Sequence, residues 1–125
     1  MGNENVIVEK SFRFALKIIE YSELLEEGKK YVIAKQILKS GTSIGANVNE
    51  AQSAESKADF IHKLKIADKE ANELEYWLQL CKIADNYPDP LLLENELIEI
   101  KKILSKIIST SKAILNRPNT TNLSQ

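Results

Sequence analysis

Residues 47–52 bring together three amides and a carboxylate: Asn47, Asn49, Glu50 and Gln52 follow one another within a few positions. Glu50 comes three residues after Asn47, so on a helix the two share a face. Such a set can bind a polar ligand or tie helices together through a network. If buried and unpaired, an amide or carboxylate costs about 1–3 kcal/mol or more. The sequence offers Lys39, Asn72 or a second subunit as partners. Just upstream, Gly41 and Gly45 interrupt a helical spacing carried by Ile33, Ile37, Ile44 and Val48. Two glycines inside a helix cost about 1 kcal/mol each relative to alanine. A close backbone approach, a polar network or a ligand must offset that cost, and close helix packing is the simplest of the three.

Lysines form the second chemically able group. Residues 29–56 carry Lys29, Lys30, Lys35 and Lys39 against Glu50 and Glu55, and Lys57, His62, Lys63, Lys65 and Lys69 cluster soon after. Lysines so placed can meet phosphates. The plainer alternative is a solvated face, which also carries Asp59 and Asp68. The candidate binding residues are therefore Lys35, Lys39, Asn47, Glu50, Lys63 and Lys65. His62 and Cys81 are the only residues of their types. On one straight helix, at 1.5 Å per residue, they stand about 28 Å apart. They cannot form a nucleophile pair, and a metal site needs more ligands of these types. With no phosphate loop, dinucleotide fingerprint, nucleophile elbow or Glu-x-x-His pair, we expect no catalysis, no cofactor and no metal.

Four helical segments must position these residues. The first runs over about 5–27, with one apolar stripe at Val8, Phe12, Ala15, Leu16 and Ile19 and another at Phe14, Ile18, Tyr21 and Leu25. Gly28 stands where a helix C-cap belongs. The second, about 30–53, holds the small-residue stretch. The third, about 57–86, repeats Phe60, Leu64, Ala67, Ala71, Leu74, Leu78 and Cys81 at spacings of four and three, the seam of helices crossing at a shallow angle. Ser56 and Asp59 make a weak capping box ahead of it. Tyr87-Pro88-Asp89-Pro90 ends it, with Asp89 a cap and Pro90 a first-turn residue for the fourth segment, about 90–116. That segment repeats Leu93, Leu97, Ile100, Leu104, Ile107, Ser111 and Ile114. The expected fold is all-α, an antiparallel up-down-up-down four-helix bundle over residues 1–116 with a disordered polar tail over 117–125.

The chain has 125 residues, which suits one domain. Its formal charge of −1 supplies no global pull toward polyanions. One cysteine and no basic-then-apolar leader point to the cytoplasm, and no apolar run approaches the ~20 residues of a membrane span. The sequons at Asn119 and Asn122 are chance matches in such a chain. Apolar stripes beyond a three-in-seven face, exemplified by Phe14, Ile18 and Tyr21, by Ile66 and Trp77, and by Ile98, Ile108 and Leu115, point to contacts with other chains.

Two ordered patterns add a resemblance. Gln36-Ile37-Leu38-Lys39, Ser43-Ile44 and Asn47-Val48-Asn49-Glu50-Ala51, followed by Lys57-Ala58-Asp59-Phe60, Leu64-Lys65-Ile66-Ala67 and Glu73-Leu74-Glu75, resemble the motifs of small bacterial four helix bundle proteins, also called 23S rRNA intervening-sequence proteins. The resemblance spans about residues 6–115. It implies an antiparallel bundle, a ring-like homo-oligomer, most simply a pentamer, and no catalytic activity. It also implies kinship with the basic accessory protein of diversity-generating retroelements, which works with nucleic acid. Gly45 and Gln52 depart from the family's usual proline and glycine at those places. The expected role is a non-enzymatic oligomeric adaptor for RNA, DNA or a nucleic-acid-handling protein. The alternative is a purely structural or protein-interaction module.

Overall fold

The apolar seams wind into four long helices in a computed structural model that describes residues 3–117, with side chains from Val6 onward. They are α1 (Asn3–Glu27), α2 (Tyr31–Ala51), α3 (Lys57–Ile83) and α4 (Leu91–Leu115), with no strand among the described residues. Helix α1 packs on α2, α2 on α3, α3 on α4 and α4 back on α1, while the diagonal pairs make no close backbone approach. The four thus enclose one core. Ile37, Ile44 and Val48 meet Leu64, Leu74 and Leu78 there, with Leu97, Ile100 and Leu104 closing the far side. No helix is long and apolar enough to cross a membrane.

Helix α3 follows its expected seam except at the start: Ile61 is buried, while Phe60 is only partly so. Helix α4 follows its own as far as Ser111, and Ile114 is exposed. On α1 the expected roles of the two stripes are reversed. Phe14, Ile18, Tyr21 and Leu25 form the core, whereas Phe12 is 66% exposed and Leu16 and Ile19 also face outward. Period alone specifies a stripe, not which of two stripes turns inward.

The termini of the helices are set locally. Ser56 adopts extended backbone and its hydroxyl accepts the Asp59 N–H at 3.0 Å, the expected cap. Asp89 accepts the Leu91 N–H at 3.1 Å, so α4 begins one residue beyond Pro90 rather than with it in the first turn. At the end of α1 the left-handed residue is Lys29 (φ 64), not Gly28. Lys29 N–H donates to the Glu26 carbonyl and Lys30 N–H to the Leu25 carbonyl, a Schellman closure displaced one residue from the glycine. The expected tail and both sequons lie outside the described residues, apart from Arg117.

Candidate functional site

The small-residue stretch of α2 lies against α1. A Cβ placed on Gly41 would stand 2.6–2.9 Å from three side-chain carbons of Ile18, and one on Gly45 would stand 3.1 Å from the Ser11 carbonyl oxygen. Close approach is therefore what offsets the helix glycines. The hydroxyls and amides around them turn back onto their own helix. Ser40 donates to the Gln36 carbonyl at 2.9 Å and Ser43 to the Lys39 carbonyl at 2.6 Å. Asn47 Nδ2 donates to the Ser43 carbonyl at 2.9 Å and Gln52 Nε2 to that of Val48 at 3.0 Å. The buried polar network considered for this cluster does not form: Asn49, Glu50 and Gln52 are exposed and Asn47 is half-buried. No buried side-chain nitrogen or oxygen lacks a partner among the described residues. Glu50 pairs not with Lys39 or Asn72 but with Lys63 of α3, at 3.2 Å.

That pairing divides the lysines. Lys63 is half-buried on the α2 flank of α3, its charge answered by Glu50. Lys65 lies on the α4 flank, where the Lys112 ammonium holds its pKa below the ordinary lysine value. The same flank carries the pairs Lys82–Glu94 at 3.6 Å and Lys101–Glu75 at 2.8 Å. Toward the start of α3, this alternation of opposite charges gives way to two adjacent cations. Neither makes an ion pair with a carboxylate among the described residues. Lys35 and Lys39 stand exposed on the outer crest of α2, likewise without an ion pair there. The structure thus brings Lys63 and Glu50 together, separates Lys63 from Lys65, and adds Lys112. Nothing in the linear sequence marks Lys112, because only the register of α3 on α4 brings it to Lys65.

At the opposite end of α3, Cys81 sits in the wall of a hollow of about 400 Å³ with Ile33, Leu80, Ile83, Ala84 and Tyr87. Burial pushes the thiol's pKa up, which disfavours the thiolate that a nucleophile or metal ligand requires. Tyr21 OH donates to the Pro88 carbonyl at 2.6 Å, and burial, with the Cys81 contact, raises its pKa strongly. The Tyr21 bond ties the α3–α4 connection to α1. Among the described residues no cluster of three or more His, Cys, Asp or Glu side chains could hold a metal ion.

A sequence model described as "23S rRNA-intervening sequence protein" matches residues 3–106. Among solved structures, the chain is similar to a protein of unknown function from the S23 ribosomal protein family of Bacteroides thetaiotaomicron VPI-5482. The two share 48% identity and superpose with a TM-score of 0.80, over 86% of this chain and 98% of that one. No curated protein matches.

Proposed function

Because the chain belongs to the 23S rRNA-intervening sequence protein family, we propose that it is a non-enzymatic, oligomeric four-helix adaptor of the bacterial cytoplasm that binds nucleic acid. The observation that carries this reading is the Lys65–Lys112 doublet. The two exposed lysines approach each other across the α3–α4 seam, and the Lys112 ammonium disfavours the charge on Lys65, lowering its pKa. An anion between them removes that repulsion, and a phosphodiester is an anion of suitable size and charge.

The bundle that presents the doublet is, in this reading, antiparallel up-down-up-down. Ile18 against Gly41 and Ser11 against Gly45 support that direction for α1 and α2. Lys82–Glu94 and Lys101–Glu75 support it for α3 and α4. Assembly into a homo-oligomer, a pentameric ring in the simplest form the family resemblance implies, is supported by the apolar residues left facing water on α1.

The test is fluorescence anisotropy with a labelled single-stranded RNA over a series of salt concentrations. Wild type should bind with a negative slope of log K against log salt. Replacing Lys65 and Lys112 together by glutamine should weaken binding and flatten the slope by about 1–2 units. Binding that ignores both substitutions, or no binding near physiological salt, refutes the reading. The second reading, a protein-interaction module without nucleic-acid affinity, is favoured by the formal charge of −1, and the same titration decides between them.

A further inference from the structure

The outward crest of α3 carries no carboxylate, although the helix holds Asp59, Asp68, Glu70, Glu73 and Glu75. Spacing sorts those acids to the helix's two sides. Asp59, Glu70 and Glu73 fall on the line of Lys63, which pairs with Glu50 of α2. Asp68 falls seven residues before Glu75, which pairs with Lys101 of α4. Between the two sides runs a row at spacings of four, three, four, four and three: Lys65, Lys69, Asn72, Tyr76, Leu80 and Ile83. All six are exposed. Neither Lys65 nor Lys69 makes an ion pair among the described residues. Helix α3 stands diagonally across the bundle from α1, so this crest points away from the apolar stripe of α1.

The crest changes character along its length. Its first half offers two ammonium groups and an amide, to which α4 adds Lys112 beside Lys65. Its second half offers an aromatic ring and two aliphatic side chains. At 1.5 Å per residue, Tyr76 stands about 17 Å along the axis from Lys65. Its ring meets that of Trp77 edge to face, with centroids 5.2 Å apart. Such a contact covers at most one face of the Tyr76 ring, and the residue is 56% exposed. Beyond it, Leu80 and Ile83 lead into the apolar hollow they share with Cys81 and Tyr87.

We propose that the α3 crest binds single-stranded nucleic acid, its phosphates held at Lys65, Lys112 and Lys69 and an unpaired base stacked on Tyr76. A surface for phosphates alone has no use for an exposed ring on the same acid-free line. A duplex keeps its bases stacked inside and offers a convex helix only its backbone. A single strand can turn a base outward, and every base has a face that an aromatic ring accepts, so the contact is tolerant of sequence. Leu80 and Ile83 then give the next base an apolar surface. The row thus pairs a charged track with a stacking platform, the two parts that single-strand binding combines.

This inference rests on the nucleic-acid part of the proposed function and adds to it the strandedness of the ligand. Anisotropy titrations with labelled oligoadenylate and with a blunt RNA duplex of the same length test it, with thermal melting to confirm that each variant is folded. Wild type should bind the single strand at least fivefold more tightly than the duplex. Tyr76→Ala should weaken single-strand binding about five- to a hundredfold, leaving duplex binding and the salt slope unchanged, since no charge is lost. Tyr76→Phe should bind as wild type does, and Tyr76→Leu, which keeps bulk without an aromatic face, should resemble Tyr76→Ala. Lys69→Gln should instead flatten the single-strand salt slope by about 0.7 units. Trp77 is the only tryptophan, so its emission reports on the neighbouring ring. Oligoadenylate should change it, and inorganic polyphosphate, which has charge and no bases, should not. Equal binding of the two RNAs, a Tyr76→Ala variant that binds the single strand as wild type does, or a Tyr76→Phe variant as weak as Tyr76→Ala overturns the proposal. So does a Trp77 response that polyphosphate reproduces. Those results leave phosphate binding at Lys65 and Lys112 standing, whereas failure to bind either RNA removes both readings.

Discussion

Replacing Gly41 by alanine sets two known effects of opposite sign against each other at one position. In an exposed helix the change gains about 1 kcal/mol of helix propensity. Here the new methyl carbon would sit 2.6 Å from Ile18 Cγ2, 2.7 Å from Cγ1 and 2.9 Å from Cδ1. Those distances lie about 1 Å inside a comfortable carbon–carbon contact. Ile18 is fully buried, so its side chain cannot yield toward solvent. Either α1 moves away from α2 or Ile18 leaves its rotamer, and overpacking of this kind costs about 1–3 kcal/mol, occasionally more. Three contacts this short put the cost in the upper part of that range, about 2–3 kcal/mol, so the expected net is a loss of about 1–2 kcal/mol, or roughly 4–8 °C in Tm for a domain of this size.

Gly45→Ala supplies the internal control. Its Cβ would meet the Ser11 carbonyl oxygen at 3.1 Å, a contact that a shift of a few tenths of an ångström relieves. There propensity and crowding should nearly cancel, leaving less than about 0.5 kcal/mol in either direction. Urea unfolding of both variants, with Ile18→Val and the Gly41→Ala/Ile18→Val pair, completes the cycle. Removing the Ile18 Cδ1 methyl should recover part of the Gly41→Ala loss, a non-additive coupling of about 0.5 kcal/mol or more. A Gly41→Ala protein as stable as wild type, or a cycle that adds without coupling, would refute the claim that α1 occupies the space of the missing side chain.

Lys29 holds a left-handed backbone at φ 64, a conformation that costs a non-glycine residue about 1 kcal/mol. Lys29→Gly should therefore raise stability by several tenths to about 1 kcal/mol in urea unfolding, with no change in m-value. Tyr21→Phe removes the bond to the Pro88 carbonyl and should lower stability by about 1 kcal/mol. The same residue gives the protein an alkaline limit. Its folded-state pKa is raised, first by burial, so the native state prefers the neutral phenol. The contribution is complete below the unfolded tyrosine pKa of about 10 and fades as pH climbs beyond it. Unfolding free energy should decline above about pH 10 in wild type and less steeply in Tyr21→Phe.

What could be read from the sequence, and what could not, separates along a physical line. Helix α3 was legible because Leu64, Ala67, Ala71, Leu74 and Leu78 form a single stripe, and one stripe admits one orientation. Helix α1 has two. The choice between Phe12/Leu16/Ile19 and Phe14/Ile18/Tyr21 depends on what the neighbouring helix offers. Gly41 provides the slot into which Ile18 fits, and that fit is a property of the pair. The Lys63–Glu50 and Lys65–Lys112 neighbourships are pairwise in the same sense. They follow from the register of one helix on another, to which the spacing within each helix is indifferent. The cap at Ser56 was visible because it is settled within four residues, whereas the turn after α1 chose Lys29 over Gly28. Its two closing bonds, to Glu26 and Leu25, fix the position of the left-handed residue more firmly than the glycine's freedom attracts it. The stripe displaced from the core, Phe12, Leu16 and Ile19, keeps its helical spacing while facing solvent, so nothing within α1 alone distinguishes it from the stripe that packs.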